Sequence, residues 1–471
     1  MSSRVRVLNV THVRPAQTGG ESSPPRHGEH KLSFLDLIQI ARIPIQRLFL
    51  YDGPNLPPFP SIVAILQPSL VATLAVYLPL AGRLVFRPIS GDVVVDCSPD
   101  AVSSGVRFVE AEFCGDANEM RRLARDEEHD TEAFLQLVPD IEGSHQLPSP
   151  VLAVQVTRPS GGDGAGGAVA LGVSILHAVA DGHAVWQFVK AWSAAAREGS
   201  VAAAGLPAPT FDRAGIRHPE ADELARSMQR MFAPALPLVK SASSPSTVDT
   251  TEQSRRTFVL RADDVRSLKQ HILEQSRVVN DGEPSKPPTT YVAVSSLVWT
   301  SIVRAKPTLR DADDAHFMVS ADCRRRVRPP LGDGFFGNCV IPCWARARAG
   351  DLRGGGALAR AAAAIQDGIR EYLEEPAGED PVLGFERGMA VYRSIPPGSL
   401  TAVGSSHRFP AYGTDFGWGA PSRVELVSVF GRELVTLLGG RDEGSVQVSV
   451  ALDRAAMDAF AANFVVPAAS S

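Results

Sequence analysis

Five cysteines in 471 residues leave little room for a disulfide framework. They are Cys97, Cys114, Cys323, Cys339 and Cys343, and no two form a CxxC pair. Cys339 and Cys343 have no histidine close by, so reduced, mostly buried thiols fit better than a zinc site, and no metal is expected. The odd cysteine count points to a reducing compartment. The N-terminal stretch alternates like a strand and lacks the apolar core of a signal peptide, which makes the cytosol the default expectation. Neither sign of charge dominates. The 47 basic and 52 acidic side chains give a net charge of −5 and are interspersed. That excludes a nucleic-acid surface built on a clustered basic patch, but not a small anionic ligand. Long unbroken apolar runs are missing too. The stretch Ile62–Leu80 contains Gln67, Pro68, Ser69 and Thr73 and reads as too polar to span a bilayer. No tandem repeat is visible.

What is present is a globular composition, 44% hydrophobic and 21% charged, in a chain too long for one ordinary core. Two domains are expected, over residues 1–200 and 251–471, with a crossover at 201–250 that turns Ala-rich and then Pro/Ser-rich. Residues 1–12 read as a strand and 14–30 as a loop. Val63, Leu66, Leu70, Leu74 and Leu78 fall at helical spacing, with Pro68 kinking or opening that helix and Pro79 ending it. Val151–Thr157 and Ala168–Leu176 read as strands joined by the glycine-rich turn Gly161–Gly167. From Gly182 the period changes: Val185, Phe188, Val189 and Trp192 form a helical stripe ending near Gly199. The second half reads as a strand at Arg255–Arg261, helices at Ala262–Glu274 and Val292–Arg304, and a strand at Ala315–Ala321. A helix over 354–375, three strands at Val424–Val429, Glu433–Leu438 and Val446–Leu452, and a last helix capped by Asp453 follow.

Two motifs carry chemistry. His177-Ala178-Val179-Ala180-Asp181-Gly182 sits where a buried strand gives way to a helix, a junction that projects side chains into clefts. An HxxxD pattern alone is weak, since about one chance match is expected in a chain of this composition. A second one, His218–Asp222, lies in a polar stretch and reads as exposed. Asp415-Phe416-Gly417-Trp418-Gly419 is far more specific, with a chance expectation on the order of 10⁻⁴. Mechanically it reads as a turn: Gly417 and Gly419 supply positive φ, Trp418 packs, and Asp415 organises rather than acts as a base.

Together with these, Leu78-Pro79-Leu80-Ala81-Gly82-Arg83, Pro209-Thr210-Phe211-Asp212-Arg213, Asp322-Cys323-Arg324-Arg325-Arg326 and Phe335-Phe336-Gly337-Asn338-Cys339 resemble, in order, the motifs of the plant BAHD acyltransferases. Ser33-Phe34-Leu35-Asp36 and Arg47-Leu48-Phe49-Leu50-Tyr51 resemble the clade that acylates flavonoid and phenolic glycosides, with Phe335 replacing a tyrosine. The resemblance implies an α/β fold of two chloramphenicol-acetyltransferase-like domains with mixed sheets and a tunnel between them. It implies a monomer, with no nucleic-acid or membrane partner and no bound cofactor. Acyl-CoA is the implied co-substrate and a small phenolic glycoside the acceptor. His177 is the implied general base, with Asp181 and Gly182 in support, Asp181 pointing away to hold an arginine, for which Arg324 is the candidate. Thr289, Thr290 and Arg324 are the coenzyme A candidates, although Thr289 and Thr290 read equally as a helix cap. The donor is malonyl or hydroxycinnamoyl. A malonyl carboxylate needs a cation, for which His183 and Lys190 are the nearest basic residues after Asp181; a hydroxycinnamoyl ring needs an apolar slot, which Trp186 or Phe188 would line. The base serves an alcohol or an amine acceptor alike. A catalytically silent ligand-binding member of the fold is the reading from a different class, against which intact His177, Gly182 and the pentapeptide weigh.

Overall fold

A computed structural model describes residues 3–16, 28–161, 167–239, 253–279, 286–374, 380–428 and 434–467. The middle of the expected Gly161–Gly167 turn, most of the 14–30 loop and the end of the crossover lie outside the described residues. Sixteen strands, numbered in chain order, form three sheets among the described residues. The first runs β1 (Val5–Val13), β6 (Val106–Phe113), β8 (Leu152–Pro159), β9 (Ala168–Ile175), β3 (Ile45–Asp52) and β14 (Arg423–Leu426). Its pairs are antiparallel except β6 with β8. The second runs β10 (Gln253–Leu260), β16 (Val446–Asp453), β15 (Leu434–Gly439), β13 (Leu400–Val403), β11 (Asp314–Asp322) and β12 (Val340–Arg348). In it β13 is parallel to both of its neighbours. A small sheet joins β2 (Glu29–Lys31), β5 (Asp92–Asp96), β4 (Arg83–Arg87) and β7 (Ser149–Pro150).

β9 shows why the first sheet is buried on both faces. Val169, Leu171, Val173 and Ile175 enter the main core. Ala168, Ala170, Gly172 and Ser174 make the other face small, and the chain at Leu137–Pro139 presses onto it. A Cβ on Gly172 would stand 2.4 Å from the Leu137 carbonyl oxygen. The Gly182–Glu198 helix covers the large-residue face. It begins because Asp181 caps it and ends because Gly199 adopts φ +71°, where a glycine carries no steric penalty.

Several expectations are corrected. The helix at Phe59–Val76 runs through Pro68. By length and composition, with a mean hydropathy of 1.8, it is apolar enough to cross a membrane, so its few polar residues do not exclude that. Its place here is set by packing: Ile62, Leu66, Leu70 and Leu74 are buried in the main core, and the Trp192 indole N–H donates to the Leu66 carbonyl at 3.2 Å. The described part of the 201–250 crossover is structured. It holds a helix at Ala221–Phe232 and a parallel bridge from Thr210 to Phe335. The strand read at Val424 leaves its sequence neighbours: β14 pairs with β3 in the first sheet, while β15 and β16 lie in the second.

That exchange brings a buried charge cluster between the two large sheets. Glu425 on β14 accepts from Arg423 Nε at 2.8 Å, from the Thr257 hydroxyl on β10 at 2.9 Å and from the Ser449 hydroxyl on β16 at 3.2 Å. Arg255 donates to the Val427 carbonyl at 3.0 Å. Arg423 donates to His129 Nε2 at 2.8 Å, which makes that nitrogen the acceptor and leaves the ring proton on Nδ1.

Candidate active site

β9 delivers the site. Its last residue, Ile175, is in register with Ile45 of β3 and Leu152 of β8, so the turn that follows starts from a fixed backbone. His177 lies in that turn and is half-buried. Its Nδ1 is enclosed, with no partner beyond its own backbone carbonyl, which leaves Nε2 as the ring nitrogen open to a substrate. Burial, and then the charge of Arg42, pull the imidazole down to about 4, against its own backbone carbonyl and Asp181; Arg47 adds to the lowering. The ring is therefore neutral near pH 7, as a proton acceptor must be.

Asp181 faces away from this ring. Its carboxylate accepts from Arg324 at 2.9 Å, from the Cys339 amide at 3.1 Å and, as helix cap, from the Ala184 amide at 3.0 Å. Burial would raise this carboxyl, but Arg324 and the two amides hold it below the usual range. Arg324 is 4% exposed and its remaining donors go to Asp322 and the Gly337 carbonyl. Most of this guanidinium's five donors are thus held within the protein, Nε facing the Phe335 carbonyl at 3.5 Å.

Three residues that sequence reasoning gave no role complete the frame of the loop. Asn338 donates from its side chain to the His177 carbonyl at 2.8 Å and to Asp36 at 2.9 Å. Asp36, fully buried, also closes the capping box with Ser33 and pairs with Arg213 at 3.3 Å. Arg213 donates in turn to the Val179 carbonyl at 3.2 Å. A Cβ on Gly337 would stand 2.8 Å from the Arg213 guanidinium, so a larger residue there would have to displace it. The stretches around Asp36, Arg213, Arg324 and Asn338, dispersed in sequence, thus converge on one six-residue turn. At Asp36 and Asn338 the available signal was a single charged or amide side chain set among apolar neighbours, whereas Arg213 and Arg324 stand beside other charged residues that mask it.

The pentapeptide lies elsewhere. Asp415 Oδ1 accepts from the amides of Gly417 at 2.7 Å and Gly419 at 2.9 Å, whose φ values are +109° and +104°. Phe416 and Trp418 stack on each other, with Trp418 against Tyr51 and Phe416 against Trp192. Arg197 donates to the Asp415 carbonyl at 3.2 Å. Arg197 is fifteen residues beyond Gly182 in one helix, about 22 Å along its axis. The turn therefore braces the far end of the helix that His177 precedes. Thr289 caps the Thr290–Ala305 helix through the Val292 amide at 3.3 Å. Asp222 of the second HxxxD pairs with Lys31 at 2.9 Å and is exposed, and His218 packs on Phe34. Phe188 is core, against Tyr77 and Trp192. Among the described residues no group of three His, Cys, Asp or Glu could hold a metal.

The Transferase family model matches residues 9–466. The chain is 29% identical over 478 residues to the malonyl-CoA:anthocyanidin 5-O-glucoside-6''-O-malonyltransferase of Arabidopsis thaliana, covering 98% of each chain. It is 28% identical over 480 residues to phenolic glucoside malonyltransferase 1 of the same plant, covering 97% of this chain and 96% of that one. The fold matches that of vinorine synthase with a TM-score of 0.71, at 21% identity, over 97% of this chain and 96% of that one.

Proposed function

The chain belongs to the Transferase family and is an acyl-CoA-dependent acyltransferase, and from that premise we propose that it moves a malonyl group from malonyl-CoA to a sugar hydroxyl of a flavonoid or other phenolic glucoside, with His177 as general base. The observation that carries the mechanism is the imidazole itself: neutral, with one nitrogen enclosed and the other open, on a turn whose backbone is pinned from three sides. An alcohol is a poor nucleophile at neutral pH, whereas a thioester is a good electrophile with a stable leaving group. Nε2 accepts the hydroxyl proton as the oxygen attacks the thioester carbonyl. When the tetrahedral adduct collapses, the imidazolium returns that proton to the departing thiolate. Asp181 positions the turn through Arg324 and does not touch the reacting atoms. Thr289 and Thr290, at a helix N-terminus, are the residues proposed on the coenzyme A side.

The test is thiol release from malonyl-CoA and p-coumaroyl-CoA with a panel of phenolic glucosides and amines. Glucoside-dependent release from malonyl-CoA that falls by about 10²- to 10⁴-fold in His177→Ala is the expected result. Release that survives the substitution would remove His177 as the base.

A further inference from the structure

Five arginines are buried among the described residues: Arg47, Arg213, Arg255, Arg324 and Arg423. Four have a carboxylate. Arg213 has Asp36, Arg324 has Asp181, and Arg255 and Arg423 share Glu425. Arg47 has none within ion-pair distance among the described residues. It is 4% exposed, its one hydrogen bond runs from Nη1 to the neighbouring Gln46 carbonyl at 3.1 Å, and its enclosed Nε has no partner. A buried, unpaired guanidinium is unfavourable unless something else supplies the counter-charge. Burial alone pulls it down to about 9, which still leaves it a cation at neutral pH.

The position of this cation matters. Arg47 stands near the start of β3, beside the end of β9 from which His177 departs. Its charge is felt by the His177 ring. Its guanidinium lies over the Trp186 ring, 5.7 Å from the centroid. The indole N–H of Trp186 is likewise buried without a partner. Arg47 comes close to the first residue of the helix, Gly182: a Cβ there would be 4.0 Å from Arg47 Nη2 and 3.2 Å from the Phe409 ring. A cation and a neutral donor, both unsatisfied, thus sit together beside the proposed base. His183 and Lys190, the cations the sequence suggested, are ill suited: His183 meets Gln187 at 3.1 Å and Lys190 is exposed.

We propose that Arg47, with the Trp186 N–H beside it, receives the free carboxylate of a dicarboxylic acyl donor, so that this pair selects malonyl over uncharged acyl groups. In malonyl-CoA one methylene separates the carboxylate from the thioester carbonyl, so a group reacting at His177 needs its counter-charge next to that histidine. One carboxylate oxygen takes the guanidinium and the other the indole N–H, each a charge-assisted bond in a dry site. The inference rests on the malonyl-transfer reading above and names the residues that recognise its donor.

The experiment compares kcat/KM for malonyl-CoA and acetyl-CoA on one phenolic glucoside in the wild type, Arg47→Met, Arg47→Lys and Trp186→Phe. The wild type should favour malonyl-CoA. The malonyl-to-acetyl ratio should fall by about 10- to 100-fold in Arg47→Met, and severalfold in Arg47→Lys and Trp186→Phe. Trp186→Phe keeps the ring and Arg47→Lys keeps the charge, so the result does not depend on the folding of one variant. If both donors lose rate by the same factor, or the ratio does not move, Arg47 is a structural cation and the assignment fails while the malonyl reading stands. If the wild type transfers p-coumaroyl in preference to malonyl, or transfers neither, the malonyl reading fails and takes this inference with it.

Discussion

The role proposed for His177 requires a neutral ring, and the surroundings keep it neutral. Because its pKa lies near 4 in the folded protein, the acid limb of kcat/KM should fall near pH 4 rather than near 6.5. A pH–rate profile with its acid limb above pH 6 would mean that burial and Arg42 do not control the ring. Asp181 supports the ring at one remove. Asp181→Ala leaves Arg324 buried with Asp322 alone as counter-charge and strips the helix of its cap. Loss of one partner from a buried pair costs about 3–5 kcal/mol. Denaturant unfolding of Asp181→Ala should show a loss of that order together with reduced activity. Unchanged stability would argue that Asp181 acts on the chemistry directly. At this scale the place of His177 at a strand-to-helix junction and of Asp181 beside Arg324 was legible in the sequence, because type and spacing carried the information. It placed Arg47 in a motif but gave it no role, since an arginine in a strand looks the same whether or not a carboxylate waits for it.

At the scale of elements, the Gly182–Glu198 helix connects the two motifs. One end follows His177 and the other is braced by the Asp415–Gly419 turn. Gly417→Ala puts a side chain on a backbone at φ +109°, where the Cβ is strained, and should cost about 1–2 kcal/mol. The turn is about 22 Å from Gly182, so the cost should appear as a lower Tm while kcat at 25 °C stays within about twofold of wild type. A loss of kcat with no change in Tm would place the turn in the chemistry instead. The helix and the β8–β9 pair were legible because their periods are regular and their ends carry Asp181 and Gly199. The Pro68 helix and the crossover were less so. Packing against Trp192 holds the first helical through its proline, and the Thr210–Phe335 bridge orders a stretch whose composition reads as a linker.

Across the whole molecule, β14 is the tie. It belongs to the second half by sequence and to the first sheet by hydrogen bonding, and it carries Glu425 into the gap between the sheets. Glu425→Ala removes the carboxylate that Arg255 and Arg423 share and should cost about 3–5 kcal/mol, read as a shift in the denaturant midpoint. Unfolding of one sheet before the other in that variant would identify the cluster as the coupling between them. His129 in the same cluster is held neutral, with burial pulling it down to about 3 from its ordinary 6.5. The unfolded chain takes up a proton below 6.5 and the folded one does not until near 3, so stability must fall as the pH drops through that window. His129 alone should make the protein about 2 kcal/mol less stable at pH 5 than at pH 7. Equal unfolding free energies at the two pH values would mean that His129 is protonated in the folded state.

The sequence by itself determined the α/β class, the helix and strands that carry the histidine, and the motifs that place the chain among acyltransferases. Each of these is written in residue type and local spacing, which a strand-to-helix junction or a tight turn translates directly. Only the tertiary structure decided that Asp36, Arg213, Arg324 and Asn338 close on one turn, that β14 crosses to the first sheet, and that, among the described residues, Arg47 alone of the buried arginines lacks an acid. Those facts depend on which distant groups share the same low-dielectric space, and a buried charge takes its meaning from the partner it has or lacks.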